Sequence, residues 1–173
     1  WQIVDNLLRH GFTGSVYPVN PRAASVHSIR TYPTVEAVPE DVDLAVIVVH
    51  KEGVHEIVDQ CGAKGVPAIV VISAGFKEVG GAGIERERAL MDRVRRYGMR
   101  LVGPNCMGVL NTADDVAMNA TFAPTMPPRG NVSFMSQSGA MGVTILDYAA
   151  EYGIGIRDFV SVGNKPDVSG NDL

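Results

Sequence analysis

Phe134-Met135-Ser136-Gln137-Ser138-Gly139-Ala140-Met141-Gly142 is the stretch on which the fold turns. Before it, residues 130–135 form an extended run carrying Val132, Phe134 and Met135, which stops at Ser-Gln-Ser-Gly. After it, apolar residues return at helical spacing, so Val143, Ile145, Leu146, Tyr148 and Ala149 are expected on an inner face. A strand, a tight polar turn and a helix start leave several backbone N–H groups unpaired and pointing one way. The helix dipole adds roughly half a positive charge at the same place. Such a turn suits a phosphate, a phosphoryl group or a carboxylate. The same residues also suit a capped helix that holds no ligand, because Ser is a good N-cap.

The alternation of strand and helix extends back along the chain. Residues 1–10 read as a helix with Ile3, Val4, Leu7 and Leu8 on one face and Gly11 as its stop. Residues 15–19 read as a short strand, and residues 26–29 as a weaker extended stretch. Residues 43–49 are a continuous apolar run, which predicts a strand buried on both faces. Residues 52–64 follow as a helix with Val54, Ile57, Val58 and Cys61 inward, then residues 67–72 as a buried strand. A charged helix over residues 83–97 turns Ile84, Leu90, Met91 and Val94 inward, and residues 100–102 form the next strand. Residues 111–129, with Pro124, Pro127 and Pro128, read as a long irregular connection. Strand 131–135, helix 139–152 and strand 158–162 close the series.

This order predicts an α/β fold, a Rossmann-like parallel sheet with helices on both faces. The Pro-rich connection predicts a boundary, with one domain over residues 1–128 and the incomplete opening of a second over residues 129–173. A doubly wound domain opens with a strand and a Gly-rich turn, whereas this chain opens on the helix. The expectation is therefore a natural sequence that starts one element earlier.

Composition narrows the function classes. The 173 residues carry a net charge of −4, so a polyanion-binding surface is not expected and nucleic acid is not an expected partner. Two cysteines make no disulfide framework, which favours a reducing, cytoplasmic setting. No apolar run approaches the ~20 residues of a membrane span, so no membrane partner is expected.

In parallel sheets, ligands gather beyond the carboxyl ends of the strands. The segments found there are Asn20-Pro21-Arg22, His50-Lys51-Glu52, Ser73-Ala74-Gly75-Phe76, Gly103-Pro104-Asn105-Cys106, Ser136-Gln137-Ser138-Gly139 and Gly163-Asn164-Lys165. Loops rich in Gly, Asn and Ser let a ligand approach the backbone closely, although ordinary turns use the same residues.

Tyr17-Pro18-Val19-Asn20-Pro21, Val70-Val71-Ile72-Ser73-Ala74-Gly75-Phe76, Gly103-Pro104-Asn105-Cys106-Met107-Gly108, Ser136-Gln137-Ser138-Gly139-Ala140 and Val162-Gly163-Asn164-Lys165 occur in that order. Together they resemble the N-terminal region of the NDP-forming acyl-CoA synthetases. These are relatives of the succinyl-CoA synthetase α subunit and include ADP-forming acetyl-CoA synthetase. The resemblance covers essentially the whole chain. It implies a CoA-binding domain followed by a flavodoxin-like, succinyl-CoA ligase-like domain. The implied reaction interconverts acid, ATP and CoA with acyl-CoA, ADP and phosphate through a phosphohistidine.

By position, the resemblance gives Ser136, Gln137, Ser138 and Gly139 the role of holding the phosphoryl group at a helix start. It places coenzyme A along the strand ends of the first domain. Val19, Asn20 and Pro21 would line the nucleotide end, and Arg22 would reach a phosphate. Val49, His50 and Lys51 follow the next strand, where many relatives have a Pro-Ala type turn, so His50-Lys51 departs from the pattern. Ser73, Ala74 and Gly75 would lie by the pantetheine arm, with Asn105 and Cys106 near the thiol end. Cys106 is a candidate nucleophile or simply a small buried residue.

None of His10, His27, His50 and His55 matches the phosphorylated histidine, which lies further along than this chain reaches. ADP or ATP with Mg would be bound by regions outside the chain, in an ATP-grasp domain or subunit of an oligomeric protein. No metal site is expected here, and the chain alone is expected to be inactive. Two alternatives differ in class. One is an acetyl-CoA-binding or sensing module of a bacterial protein lysine acetyltransferase. The other is a nicotinamide-dinucleotide domain, which would need a Gly-x-Gly-x-x-Gly turn that no predicted strand here precedes.

Overall fold

The computed structural model describes all 173 residues. Helix α1 (Gln2–Arg9) comes first, followed by a small antiparallel hairpin of β1 (Ser25–Val26) and β2 (Ile29–Arg30). Then come β3 (Leu44–Ile47), α2 (Val54–Lys64), β4 (Ala68–Val71), α3 (Ala82–Arg96) and β5 (Arg100–Val102). The chain continues through β6 (Gly108–Asn111), β7 (Met118–Thr121), β8 (Arg129–Ser136), α4 (Gly139–Glu151) and β9 (Ile156–Ser161).

The fold is α/β, with a parallel sheet flanked by helices and a second, mixed sheet. In the first sheet β3, β4 and β5 run parallel in that order, with Leu44 opposite Ala68 and Ala68 opposite Arg100. Parallel strands need crossovers, and α2 and α3 supply them. Their apolar stripes, Val54, Val58 and Cys61 on α2 with Leu90 and Val94 on α3, bury against Ile47, Ile69, Val71 and Leu101. Gly65 ends α2 in the left-handed conformation, its N–H bonded back into the last turn.

The second sheet has the order β7-β6-β9-β8. β6 pairs antiparallel with β7 and with β9, while β8 and β9 are parallel. Helix α4 is the crossover between them, and it buries Leu146 and Ala149 with Met107, Leu110, Ile156 and Phe159. No helix is long and apolar enough to cross a membrane.

Several sequence expectations are corrected. Residues 15–19 form no strand; their one ladder contact is an isolated bridge from Val19 to Tyr32, just past β2, and a single bridge makes no strand. The run 43–49 is not buried on both faces. β3 is an edge strand that ends at Ile47, leaving Val48 61% and Val49 40% exposed. Residues 111–129 are not irregular throughout: β6 and β7 make a hairpin that shares a sheet with β8 and β9. Leu8, Ile84 and Tyr148 are exposed rather than inward, because each helix buries one narrower stripe than its apolar content implies.

On α1 the fully buried residue is Asn6. Its Nδ2 donates to the Thr121 carbonyl at 2.8 Å and the Ala123 carbonyl at 2.7 Å, which pins α1 to the end of β7. These acceptors have no water to turn to when the amide is removed. Asn6→Ala should therefore destabilise the fold by about 1–3 kcal/mol. Urea denaturation, read as a lower midpoint at an unchanged slope, checks this.

Candidate functional site

Because β3, β4 and β5 are parallel, their carboxyl ends lie at one edge. The ends of β8 and β9 meet the same edge, since Asn164 N–H donates to the Pro104 carbonyl at 2.9 Å. Gly163 makes this approach possible. Its φ is +54°, and a Cβ there would sit 2.1 Å from the Pro104 carbonyl oxygen.

Hydrogen bonds then link loop to loop. Ser73 Oγ donates to the Val49 carbonyl, and Asn105 N–H donates to the Ser73 carbonyl at 3.0 Å. Asn105 Nδ2 reaches Asn164 Oδ1 at 3.4 Å. Lys51 lies over Gly75: with φ at +99°, a Cβ on Gly75 would sit 2.5 Å from Lys51 Cδ. Val49, Lys51, Ser73, Gly75 and Asn105 are thus brought together by the first sheet, with His50 and Ala74 exposed among them. The apolar Val48 and Val49 beside Lys51 give this edge both an apolar strip and a cation.

Residues 19–22 are built separately. Asn20 Oδ1 accepts from the N–H of Arg22 at 2.9 Å and of Ala23 at 3.2 Å, so it closes its own turn. Val19, Pro21 and Arg22 are joined to the other loops by no hydrogen bond, and Arg22 is exposed.

At the other half of the edge, Ser138 is the N-cap of α4, with its Oγ accepting from the Met141 N–H at 3.3 Å. Ser136 Oγ donates to the Ser138 carbonyl at 2.9 Å and accepts from the Ser138 N–H at 3.1 Å. The two serine hydroxyls therefore shape the turn. The Gly139 and Ala140 N–H groups, at the helix start, have no intrahelical acceptor. Gln137 is exposed and lines a cleft of about 310 Å³ with Lys77, Glu78, Gly163, Asn164 and Lys165. A second cleft, about 360 Å³, lies at the opposite edge by Arg129 and Arg157, whose charges are met by Asp114 and Asp158.

The carboxylates of Glu78 and Glu87 were not among the expected site residues. Glu78 Oε1 accepts from Phe76 N–H at 3.1 Å and also from Gly75 N–H. Glu87 is only 6% exposed, and its Oε2 accepts from Lys77 N–H at 3.3 Å. Burial opposes the charge on Glu78, but the Asn164 amide and the Gly75 and Phe76 N–H groups outweigh it and hold its pKa below the ordinary carboxylate range. A signal for Glu87 was present, since it falls in the stripe Gly83, Glu87, Leu90, Met91, Val94, the one charge among inward positions of α3. Glu78 left none, because nothing local marks a loop acid as a backbone acceptor.

Cys106 faces inward. It is 6% exposed, and its thiol donates to the Val71 carbonyl at 3.3 Å. Burial pushes its pKa up to about 11, against the opposing pull of local backbone hydrogen bonds, and pushes Cys61 to about 11 as well. A thiol held this way is a poor nucleophile at neutral pH. Alkylation of the native chain at pH 8 should be at least tenfold slower than that of free cysteine. Mass spectrometry over time checks it, with the denatured chain as the fast reference.

The chain spans a CoA binding domain over residues 1–112 and a succinyl-CoA ligase like flavodoxin domain over residues 129–173. It is 45% identical over 171 residues to an ADP-forming acetate–CoA ligase I of Archaeoglobus fulgidus, covering 99% of this chain and 24% of that protein. It is also 45% identical over 160 residues to the α subunit of ADP-forming acetate–CoA ligase II of Pyrococcus furiosus, covering 92% of this chain and 34% of that subunit. Among solved structures, a dinucleotide forming acetyl-coenzyme A synthetase 1 of Ca. Korarchaeum cryptofilum, in complex with phosphate and ADP, superposes with a TM-score of 0.94. It shares 47% identity and covers 99% of this chain and 36% of that one. The chain thus spans about a quarter to a third of the relatives it resembles. The chain therefore belongs to the CoA-binding domain family, and it is similar to one region of longer ADP-forming acetate–CoA ligases.

Proposed function

We propose that this chain is the CoA-binding and phosphoryl-holding part of a longer ADP-forming acyl-CoA synthetase. That protein would interconvert acid, ATP and CoA with acyl-CoA, ADP and phosphate through a phosphohistidine outside residues 1–173. One observation carries this: the loops that follow β3, β4 and β5 are hydrogen-bonded to one another and meet the Ser136–Gly139 turn at the same edge.

The residues present fit coenzyme A. Val48 and Val49 offer apolar surface to the pantetheine arm, and Lys51 offers a charge to a phosphate. Ser73, Ala74, Gly75 and Asn105 line the path toward the second sheet, with His50 at the rim. Val19, Asn20, Pro21 and Arg22 take the nucleotide end, where the Arg22 guanidinium is free of an ion pair. Cys106 shapes the thiol end through its backbone, its side chain being turned inward. Bound CoA supplies the thiol that accepts the acyl group.

The helix start of α4 has the donors for a phosphoryl group. Ser136 and Ser138 hold the turn, leaving Gly139 and Ala140 N–H groups to face developing negative charge, with Gln137 beside them. In this reading residues 1–128 form the CoA-binding unit and residues 129–173 open the flavodoxin-like ligase unit. The β6–β7 hairpin of the first then completes the sheet of the second. ADP or ATP with Mg belongs to an ATP-grasp domain or subunit, and the assembled enzyme is an oligomer. The acetyltransferase alternative is not favoured, because the relatives are ligases.

Calorimetry tests the binding role. The chain should bind CoA and give no heat with NAD. Lys51→Gln should weaken CoA about fivefold at low salt and less at 0.5 M salt, since an exposed cation acts through a screened field. Binding of NAD without CoA would sink the proposal. The ligase role needs the full-length enzyme with labelled ATP. Acid-labile, base-stable label discharged by acid plus CoA is expected, and Ser138→Ala should slow its turnover roughly tenfold by loosening the capped turn.

A further inference from the structure

Asn164 stands where the two halves of the edge meet. Its Nδ2 donates to Glu78 Oε2 at 2.6 Å and to Glu87 Oε2 at 2.7 Å, using both amide hydrogens. Its Oδ1 accepts from Asn105 Nδ2 at 3.4 Å, and its backbone N–H donates to Pro104. The two acids are brought onto one nitrogen, an arrangement that like charges resist unless a donor bridges them. Those same acids hold three consecutive backbone N–H groups: Glu78 takes Gly75 and Phe76, and Glu87 takes Lys77. A side chain of the loop after β9 thus bonds both acids that accept from the loop after β4. That second loop borders the cleft that Gln137 also lines.

We propose that Asn164 is a positioning residue that couples the two halves of the site. By bridging Glu78 and Glu87 it fixes the 73–77 loop, which takes the pantetheine end of CoA, from the side of the Ser136–Gly139 turn. The CoA part of this statement rests on the function proposed above, while the mechanical coupling does not. The charged groups around the bridge are Lys77 and Lys165 in the cleft, Lys51 over Gly75, and Arg86, whose guanidinium donates to the Gly75 carbonyl.

Asn164→Asp replaces the bridging donor with a third carboxylate. Two readouts follow from it: amide-exchange protection at Gly75, Phe76 and Lys77, and CoA affinity by calorimetry, each at pH 7.5 and 5.5. In N164D, protection at the three amides and CoA affinity should each fall about tenfold at the higher pH, the scale of a lost hydrogen bond to a charged group. Both losses should shrink at the lower pH, where one of the three clustered carboxyls takes up a proton. The double variant E78Q/N164D reverses the donor direction and should recover protection at Gly75 and Phe76. N164A adds no charge and should lose protection at the same amides, which keeps the test open if N164D does not fold.

Loss of protection confined to residues 163–165 would overturn the coupling. So would a loss that is equal at both pH values and is not recovered in the double variant. If the unaltered chain binds no CoA, the functional proposal fails, and the exchange readout still decides the coupling.

Discussion

The parallel sheet and the mixed sheet share no hydrogen-bonded ladder, and their strand-end edges are joined where residues 162–168 dock against residues 101–105. Three main-chain contacts make that docking. Asn164 N–H reaches the Pro104 carbonyl, Val168 N–H reaches the Leu101 carbonyl, and Gly163 passes so close to Pro104 that no Cβ fits. The Asp167 carboxylate adds a bond from the Leu101 N–H at 2.7 Å and an ion pair with Arg100 at 3.1 Å. Because these contacts join the segment after β9 to the backbone of β5 and the loop that follows it, they fix the two sheets relative to one another at this edge. A ligand that bridges the two sheets meets a preformed edge, which lowers the ordering cost of binding it.

Both acids and cations lie at this edge. Glu87 is buried and Glu78 lines the cleft, and both oxygens of Glu78 and Oε2 of Glu87 accept from backbone N–H groups or the Asn164 amide. Lys77 and Lys165 line the same cleft as Glu78 and Gln137, and Lys51 lies over Gly75. Carboxylate oxygens that already accept hydrogen bonds, as both of Glu78 and Oε2 of Glu87 do, repel an incoming anion less than free ones. A chain with a net charge of −4 can therefore present a local surface suited to phosphate.

Much of the fold was legible because burial obeys periodicity. The stripes of α2 and most of α3, the buried β4 and the strand–turn–helix at Ser136–Gly139 follow the pattern of apolar residues. The failures share one cause, which is that pattern reports apolar content and not neighbours. Residues 43–49 look like a central strand, yet β3 has a neighbour on one side only, so Val48 and Val49 reach solvent. Residues 111–129 look like connection because Pro124, Pro127 and Pro128 fall among them, yet β7 lies within them and pairs with β6, which pairs with β9. Asn6 looks like a polar edge of α1, but the open carbonyls at the end of β7 draw it inside.

The site divides in the same way. Local chemistry marked the Ser136–Gly139 turn, because a serine cap and a helix dipole are properties of a few adjacent residues. The ordered motifs marked which loops belong to one edge and which family they resemble. What the sequence by itself determined was thus the succession of elements and the identity of the strand-end loops. Only the tertiary structure decided that Cys106 points inward, that Glu78 and Glu87 converge, and that Asn164 bridges them. Those contacts join residues up to 86 positions apart through side chains, and spacing along a chain carries no record of such distances.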